Sequence, residues 1–321
     1  LNSRKYEPTD VDVAYPKCDL RRSGEPFVQL AKPHIGGHDC VVITSGPGTY
    51  EMLGKLWLLL ATLKGRRARR ISVLCGYYPL SRSDKDEGKL ELALVRIITD
   101  ITIAASYGKL DRIIAVDLHS DQVVNAGPPG VITQVSTVRR LLYRAVEEAR
   151  DEDARLVLCY PDDSAGKRAE PAVEATEKQF GIQLPSVFGS KRRYSSTEQE
   201  LKGLYGDLDK LPGSTVLMID DEIASGGTAQ ASADALIKVH DVAQVRGAMT
   251  HAVLTPKAFP LLEAEDCSLS RVYVADTIPL ENREVVQPLL HSGRLVEVSW
   301  KDDAGWIVYH HHWDESIREE R

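Results

Sequence analysis

Several features that mark common protein classes are missing from this sequence of 321 residues. No segment approaches the roughly 18 consecutive apolar residues of a membrane span, so the sequence predicts no transmembrane helix. The net charge of −7 argues against a general nucleic-acid-binding protein, because such proteins carry a basic face for the phosphate backbone. Short repeats and low-complexity tracts are also missing. We therefore expect a globular protein that has neither a nucleic acid nor a membrane as its partner.

Cysteine is scarce, with five residues scattered along the chain. None forms a Cys-x-x-Cys pair, and an odd number does not suit a disulfide framework. Cys75 and Cys159 lie within apolar runs that resemble strands. We therefore expect reduced and largely buried thiols, and a cytoplasmic protein.

The length and the apolar pattern predict two α/β units in tandem. A chain of this length is too long for one small core. Short apolar runs alternate with longer amphipathic ones, as in parallel sheets joined by right-handed helical crossovers. The pattern breaks at residues 127–130, which read Gly-Pro-Pro-Gly, so we place the boundary near residues 131–136. We predict strands at 41–45, 71–75, 113–116, 156–160, 216–219, 248–254, 272–275 and 295–298. We predict helices at 50–63, 90–105, 138–149, 171–180, 229–240 and 259–264.

The most informative segment is the apolar run 216–219, which is followed by Asp220 and Asp221 and then by Ser225-Gly226-Gly227-Thr228. Two acids at the end of a parallel strand lie where α/β sheets bind ligands. Glycines and hydroxyls at a helix N-terminus bind phosphate, because the helix end is electropositive and glycine lets the backbone come close. This combination suits a sugar phosphate. The alternative is an ordinary strand–helix corner in which Thr228 caps the helix.

Four other segments carry candidate functional residues. Lys191-Arg192-Arg193 is a basic cluster in a polar segment, which is either a solvated loop or a group that approaches transferring phosphates. Segments 81–88, 117–122 and 160–168 each follow a predicted strand and contain acids, and the second also contains His119. Acids at such positions can hold Mg²⁺ together with phosphate and water. His310, His311 and His312 cannot all face one site from a regular element, so we interpret them as solvated surface.

Taken together, these segments resemble the ribose-phosphate pyrophosphokinase (PRPP synthetase) family in their order and spacing. The similarity is densest at 82–85, 117–122, 191–193, 220–228 and 276–280. The resemblance implies an α/β fold of two tandem phosphoribosyltransferase-type domains, each a mainly parallel sheet flanked by helices. The first domain would cover residues 1–135, with the C-terminal tail 288–321 returning to it, and the second would cover residues 136–287.

The resemblance also implies a reaction, in which pyrophosphate moves from ATP to the anomeric hydroxyl of ribose 5-phosphate with Mg²⁺ as cofactor. Family members are homo-oligomers built from dimers. The sugar phosphate would be bound by Asp220, Asp221, Ser225, Gly226, Gly227 and Thr228. Lys191 and Arg193 would be catalytic, and His119 and Asp162 would bind the metal. The nucleotide would be bound by Arg21, Ser23, Glu25, Arg82, Ser83 and Asp84.

The sequence departs from the family pattern at several of these positions. Arg21 stands where the family has an aromatic that stacks on adenine, and Ser23 stands where it has an acid. Ala224 replaces a commonly acidic position in the sugar loop. The main interpretation is an active enzyme that uses ribose 5-phosphate as its acceptor, and three alternatives remain open beside it. The acceptor could be a larger ribosyl phosphate such as ADP-ribose, the protein could be a catalytically silent regulatory subunit, or it could be a phosphoribosyltransferase that consumes PRPP.

Overall fold

The computed structural model describes residues 11–84, 92–191 and 201–317. The chain divides into two compact units, one formed by Leu1–Val135 with Lys301–Glu320 and the other by Ser136–Trp300. Each unit contains a mainly parallel sheet flanked by helices, which confirms the predicted fold class. Within the described ranges, no helix has the length and apolar character needed to cross a bilayer.

The first unit combines a short antiparallel hairpin with a parallel sheet. The hairpin consists of β1 (Lys17–Leu20) and β2 (Pro26–Gln29). The sheet has four strands in chain order, β3 (Asp39–Thr44), β4 (Arg70–Cys75), β5 (Leu110–Val116) and β6 (Ile132–Val135). Helices α1 (Tyr50–Gly65) and α2 (Leu94–Ala105) connect β3 to β4 and β4 to β5. Apolar side chains of α1 and the sheet, among them Leu60, Ile71 and Ile113, form the buried core.

The second unit has a larger sheet. Its elements are α3 (Val138–Asp151), β7 (Leu156–Tyr160), α4 (Asp163–Phe180), β8 (Ser186–Lys191), β9 (Leu201–Gly206), β10 (Thr215–Ile223), α5 (Gly227–His240), β11 (Gln244–Ala252), α6 (Ala258–Glu263), β12 (Leu269–Ala275), α7 (Gln287–His291) and β13 (Leu295–Val298). The strand order is β13-β12-β11-β10-β7-β8-β9. Among these strands as described, β8 and β9 pair antiparallel and the other neighbours pair in parallel. The central strand β10 therefore lies between β7 and β11, with its apolar residues in the core.

The structure corrects the predicted start of one helix in the second unit and the predicted end of the second domain. The helix expected at 171–180 begins eight residues earlier, at Asp163, and contains Pro171. Proline is costly inside a helix, but here the N-cap and the packing of the helix outweigh that cost. Residues 288–300 were expected to return to the first domain. Instead β13 pairs with β12 in parallel, so this segment belongs to the second unit, and only the residues from Lys301 belong to the first.

Helix α8 (Lys301–His312) completes the first unit and corrects the interpretation of the three histidines. His311 is only 4% exposed, and its Nε2 lies 2.7 Å from Ser72 Oγ. His312 Nδ1 lies 2.9 Å from Asp39 Oδ2, whereas His310 Nδ1 lies 2.5 Å from Glu315 Oε2. The three rings have different partners, so they do not form one site. Solvated surface is nevertheless the wrong description of His311, which anchors α8 to β4.

Candidate active site

The two acids of the sugar-phosphate motif belong to the central strand of the second unit. β10 continues four residues past its predicted end, because its pairing with β11 extends through Asp220↔Met249 and Glu222↔His251. Asp220 and Asp221 are half-buried at the C-terminal end of the strand. The Asp221 N–H donates to Asp220 Oδ1 at 2.9 Å. The acids therefore lie at the edge of the sheet where parallel α/β folds bind ligands.

The turn after these acids leads directly into α5. Gly226 has φ +78°, a left-handed conformation, and a methyl group added there would lie 3.3 Å from Leu261 Cδ2. Only glycine fits this position without strain. Ser225, Gly227 and Thr228 are exposed, and the N–H groups of a first helical turn have no acceptors within the helix. The turn thus offers N–H groups and hydroxyls to an anion at an electropositive helix end.

Asp162 lies at the same edge of the sheet, because β7 and β10 are parallel neighbours. It is the N-cap of α4, and its Oδ1 accepts a hydrogen bond from Ala165 N–H at 3.0 Å. An acid at the N-cap accepts a hydrogen bond from a backbone N–H that has no partner within the helix, and its negative charge is stabilised by the electropositive N-terminus. The structure therefore brings Asp162 to the edge that holds Asp220 and Asp221.

A stack of aromatic rings joins β7 to the β8–β9 hairpin. The rings of Tyr160 and Phe188 are 5.3 Å apart at 20°, and those of Phe188 and Tyr205 are 5.6 Å apart at 23°. Gly166, in the first turns of α4, lies beneath Phe188, and a methyl group added to it would come within 2.5 Å of the ring. The hydroxyl of Tyr205 donates to Asp163. The sequence gives no signal for these contacts, because a lone tyrosine in a polar segment indicates no particular partner.

One of the two predicted catalytic residues, Lys191, lies at the end of this hairpin. Lys191 is the last residue of β8, and its backbone pairs with Leu201 of β9. A strand rather than a loop therefore leads up to the basic cluster. Arg193 lies outside the described residues.

Two loops of the first unit also come together, at the C-terminal ends of β4 and β5. Ser120 Oγ donates to Asp84 Oδ2 at 2.6 Å, which links the 82–84 segment to the segment that contains His119. Arg82 is exposed. Ser83 is used locally, because its Oγ accepts from Leu94 N–H at 3.0 Å at the start of α2. An exposed cation, a carboxylate and an imidazole thus lie on neighbouring loops.

The backbone is strained at three of these strand ends. Leu80 follows β4 with φ +56°, Asp117 follows β5 with φ +36°, and Leu254 follows β11 with φ +47°. Positive φ is uncommon for residues other than glycine, and such strain is frequent at functional sites. Leu80 and Asp117 adjoin or begin the predicted segments 81–88 and 117–122, and the Leu254 N–H donates to the Ile223 carbonyl next to the β10–α5 turn.

The donor set fits a magnesium ion that is held mainly by its substrates. In the described part of the chain, no three His, Cys, Asp or Glu side chains are grouped to hold a metal on their own. Mg²⁺ usually takes one or two protein carboxylates and fills its octahedron with phosphate and water oxygens. In the second unit, the carboxylate of Asp162 is a single donor of this kind. In the first unit, His119 offers one ring nitrogen.

The predicted nucleotide residues Arg21, Ser23 and Glu25 lie together in the turn between β1 and β2. Ser23 Oγ donates to Glu25 Oε2 at 2.9 Å, and the Arg21 N–H donates to the Glu25 carbonyl at 2.8 Å. The Arg21 guanidinium lies 5.2 Å from the centroid of the Phe27 ring. The turn therefore presents a flat cation and an oriented carboxylate, which are groups that can stack on and hydrogen-bond to a base.

A buried histidine lies near the C-terminal end of β11, at the edge of the sheet that carries Asp220 and Asp221. His251 Nδ1 lies 2.9 Å from Thr277 Oγ1, and that hydroxyl donates to the Thr250 carbonyl at 3.2 Å. Asp276 Oδ1 accepts from the Trp300 N–H at 2.9 Å. Residues 276–280 therefore contribute support rather than an exposed binding group.

The geometry defines a class of α/β protein whose two units carry acidic side chains at the C-terminal ends of parallel strands, beside a helix N-terminus in the second unit. The chain aligns with a solved phosphoribosylpyrophosphate synthetase from Mycobacterium smegmatis, with a TM-score of 0.72 and 24% identity, over 95% of this chain and 92% of that one. That alignment shows that the two units have the phosphoribosyltransferase-type fold.

Curated relatives place the chain more closely. It is 25% identical to the ribose-phosphate pyrophosphokinase of Fusobacterium nucleatum over 85% of this chain and 82% of the relative. It is 28% identical to the enzyme of the same name from Mycobacterium tuberculosis, over 84% of this chain and 79% of the relative. No protein-family model matches the chain. The chain is thus a divergent relative of the ribose-phosphate pyrophosphokinases, as the sequence motifs predicted.

Proposed function

We propose that this protein transfers a pyrophosphoryl group from ATP to the anomeric hydroxyl of ribose 5-phosphate, giving phosphoribosyl pyrophosphate and AMP. The observation that carries the proposal is the junction of β10 and α5. There, two acids lie beside an exposed helix N-terminus, as a ligand with hydroxyls at one end and phosphate at the other requires. The relatives named above have this activity in their names.

In this reaction the anomeric oxygen forms a bond to the β-phosphorus of ATP. The bond between that phosphorus and the oxygen it shares with the α-phosphate breaks, and the hydroxyl proton is lost. Little covalent chemistry falls to the protein, so catalysis consists mainly of positioning and charge stabilisation. When bound, Mg²⁺ would neutralise part of the triphosphate charge.

Each group of side chains has a role in this proposal. The turn at Ser225, Gly226, Gly227 and Thr228 binds the 5-phosphate, and Asp220 and Asp221 bind the ribose hydroxyls. Lys191 and Arg193 stabilise the charge on the transferring phosphates. The base is held by Arg21, Ser23 and Glu25, the triphosphate by Arg82, Ser83 and Asp84, and the metal by His119 and Asp162. We also propose a homo-oligomer of two or more chains, which light scattering of the purified protein would detect.

The test is an assay for AMP and phosphoribosyl pyrophosphate with ribose 5-phosphate, ATP and MgCl₂. We expect both products, and we expect Lys191→Ala to lower kcat by about 10²-fold or more, as the loss of one preorganised donor does. Lys238→Ala is the matched control, because Lys238 pairs with Asp234 on the surface of α5.

Parallel assays with ADP-ribose as acceptor test the acceptor alternative. No AMP with either acceptor, together with no binding of ATP or ribose 5-phosphate in calorimetry, would contradict the proposal and favour a silent subunit.

A further inference from the structure

An arginine outside the predicted site holds the end of β11. The guanidinium of Arg283 donates to three consecutive carbonyls, those of Ala252 at 2.8 Å, Val253 at 3.1 Å and Leu254 at 2.9 Å. Arginine presents its N–H donors in a rigid planar fork, so one side chain can satisfy several carbonyls of a bent segment. Arg283 thus fixes the path of the chain where β11 ends.

The backbone of Arg283 is fixed as well. Its N–H donates to the carbonyl of Leu280 at 3.0 Å, and its carbonyl accepts from Val286 N–H at 2.9 Å. Leu280 and Val286 are both buried in the core of the second unit. The guanidinium therefore extends from an anchored position.

The segment that Arg283 holds is itself bonded to the turn of the sugar-phosphate motif. The Leu254 N–H donates to the Ile223 carbonyl at 3.0 Å, and the Thr255 N–H donates to the Ala224 carbonyl at 2.9 Å. Leu254 has the strained φ of +47° noted above. Ile223 and Ala224 directly precede Ser225 and Gly226. Two successive sets of hydrogen bonds thus connect Arg283 to the phosphate-binding turn.

The guanidinium of Arg283 is half-buried and partly removed from water. Burying part of a charged group costs free energy unless hydrogen bonds compensate it. Burial lowers the pKa of Arg283, and the three carbonyls are its described hydrogen-bond partners. A strained segment that must stay in one conformation does need such directional bonds.

We propose that Arg283 is a positioning residue that holds the turn at Ala224–Gly226 in the conformation that receives the 5-phosphate. The assignment of the ligand rests on the proposed function, whereas the positioning of the turn does not. Arg283 acts through Leu254 and Thr255 and does not touch the substrate.

The test compares Arg283→Met with Arg294→Met. Arg294 also donates to backbone carbonyls of the second unit, those of Leu269 at 2.5 Å and Ala264 at 3.5 Å, but at the start of β12. It therefore matches Arg283 in chemistry and differs in place. Amide hydrogen exchange, resolved to the Leu254 and Thr255 N–H groups, reports the bonds to the turn directly.

We expect exchange at Leu254 and Thr255 to accelerate at least about tenfold in Arg283→Met, and to stay near the wild-type rate in Arg294→Met. In the activity assay, Arg283→Met should raise the KM for ribose 5-phosphate about tenfold or more and leave the KM for ATP within about twofold, because a displaced turn affects only the ligand it binds. Arg283→Lys should recover part of both effects, since an ammonium keeps the charge and fewer of the bonds.

Each result has one meaning. Unchanged exchange at Leu254 and Thr255 in Arg283→Met overturns the positioning role, even if activity falls. If Arg283→Met does not fold, Arg283→Lys carries the same comparison, and wild-type exchange with a wild-type KM in that variant overturns the role. Absence of AMP formation by the wild-type protein contradicts the proposed function and leaves the exchange result to decide the positioning role.

Discussion

The hydroxyl of Tyr205, on β9, donates a hydrogen bond to the carboxylate of Asp163, the residue that follows the proposed magnesium ligand Asp162. The bond joins the hairpin that carries Lys191 to the N-terminus of α4. A catalytic cation and a metal-binding carboxylate must keep a fixed spacing to act on one triphosphate. The hydrogen bond to Asp163 thus ties the start of α4 to the hairpin on which Lys191 lies.

The bond to Asp163 raises the pKa of Tyr205, because a neighbouring carboxylate disfavours the phenolate. We predict that Tyr205 titrates above the usual tyrosine value of about 10 in the wild-type protein and at a lower pH in Asp163→Ala. Carbon-13 NMR of ζ-labelled tyrosine measures both values. Tyr50, which is 97% exposed, serves as the internal reference, and equal pKa values for Tyr205 in the two proteins would show that the bond does not form.

The contact of Gly166 with Phe188 predicts that a methyl group at position 166 is not tolerated. Gly166→Ala should destabilise the second unit by about 1–3 kcal/mol, the usual cost of overpacking. Phe188→Leu removes the ring that the methyl group meets, so the double variant should be more stable than the sum of the single changes indicates. Urea unfolding of the four proteins measures this coupling, and simple additivity would contradict the packing described.

The left-handed conformation of Gly226 predicts a specific loss of sugar-phosphate binding. Gly226→Ala combines an unfavourable φ with the close approach to Leu261, so it should displace the turn and weaken binding of ribose 5-phosphate by about tenfold or more. Gly181→Ala is the control. Gly181 has a similar φ of +64° at the end of α4, with open space around it, so the change should cost about 1 kcal/mol of stability and leave binding intact. Calorimetry with ribose 5-phosphate distinguishes the two.

The network that holds α8 predicts a pH dependence of stability. Burial opposes ionisation of Asp39, but hydrogen bonds from Arg69 and Arg70 outweigh burial and hold the pKa of the carboxyl well below its usual range. A carboxyl whose pKa is lowered by folding stabilises the native state above its unfolded pKa of about 3.9, and that contribution is lost as the pH falls toward the lower native value.

Asp39→Asn should therefore lower the free energy of unfolding by about 2 kcal/mol near neutral pH, as expected for hydrogen bonds to a charged group. The difference from the wild type should stay constant down to about pH 5 and shrink below about pH 4. Asp314→Asn is the control, since Asp314 pairs with the same Arg70 but is 81% exposed and should contribute about 0.5 kcal/mol or less. Urea unfolding across this pH range gives both values, and a pH-independent difference for Asp39→Asn would contradict the linkage.

Sequence patterns predicted the elements whose residues form strongly apolar runs. Strands β7 and β13 begin and end at the predicted residues. All five residues of β7 are buried, as expected for a strand covered on both faces of a parallel sheet. The acids, the glycines and the hydroxyls of the β10–α5 turn were likewise predicted as neighbours, since they are adjacent in the chain.

The elements that were missed depend on partners distant in sequence. Strands β8 and β9 contain no long apolar run, and they form because β8 pairs with β7 and β9 pairs with β8. Helix α8 ends in three histidines, and nothing local to them indicates that His311 is buried against Ser72. Arg283 is one arginine in a polar segment, and its role follows only from the three carbonyls that it reaches. Tertiary contacts override local propensity in each case.

The contacts between α8 and the strands β3 and β4 have a consequence for biosynthesis. Residues Asp39, Arg70 and Ser72 are made early, whereas His311 and His312 are added after the whole second unit. During translation, which proceeds at about 5–20 residues per second, the second unit can therefore finish folding on the ribosome before the first unit receives its last helix. The part of the chain that is synthesised first is the part that matures last.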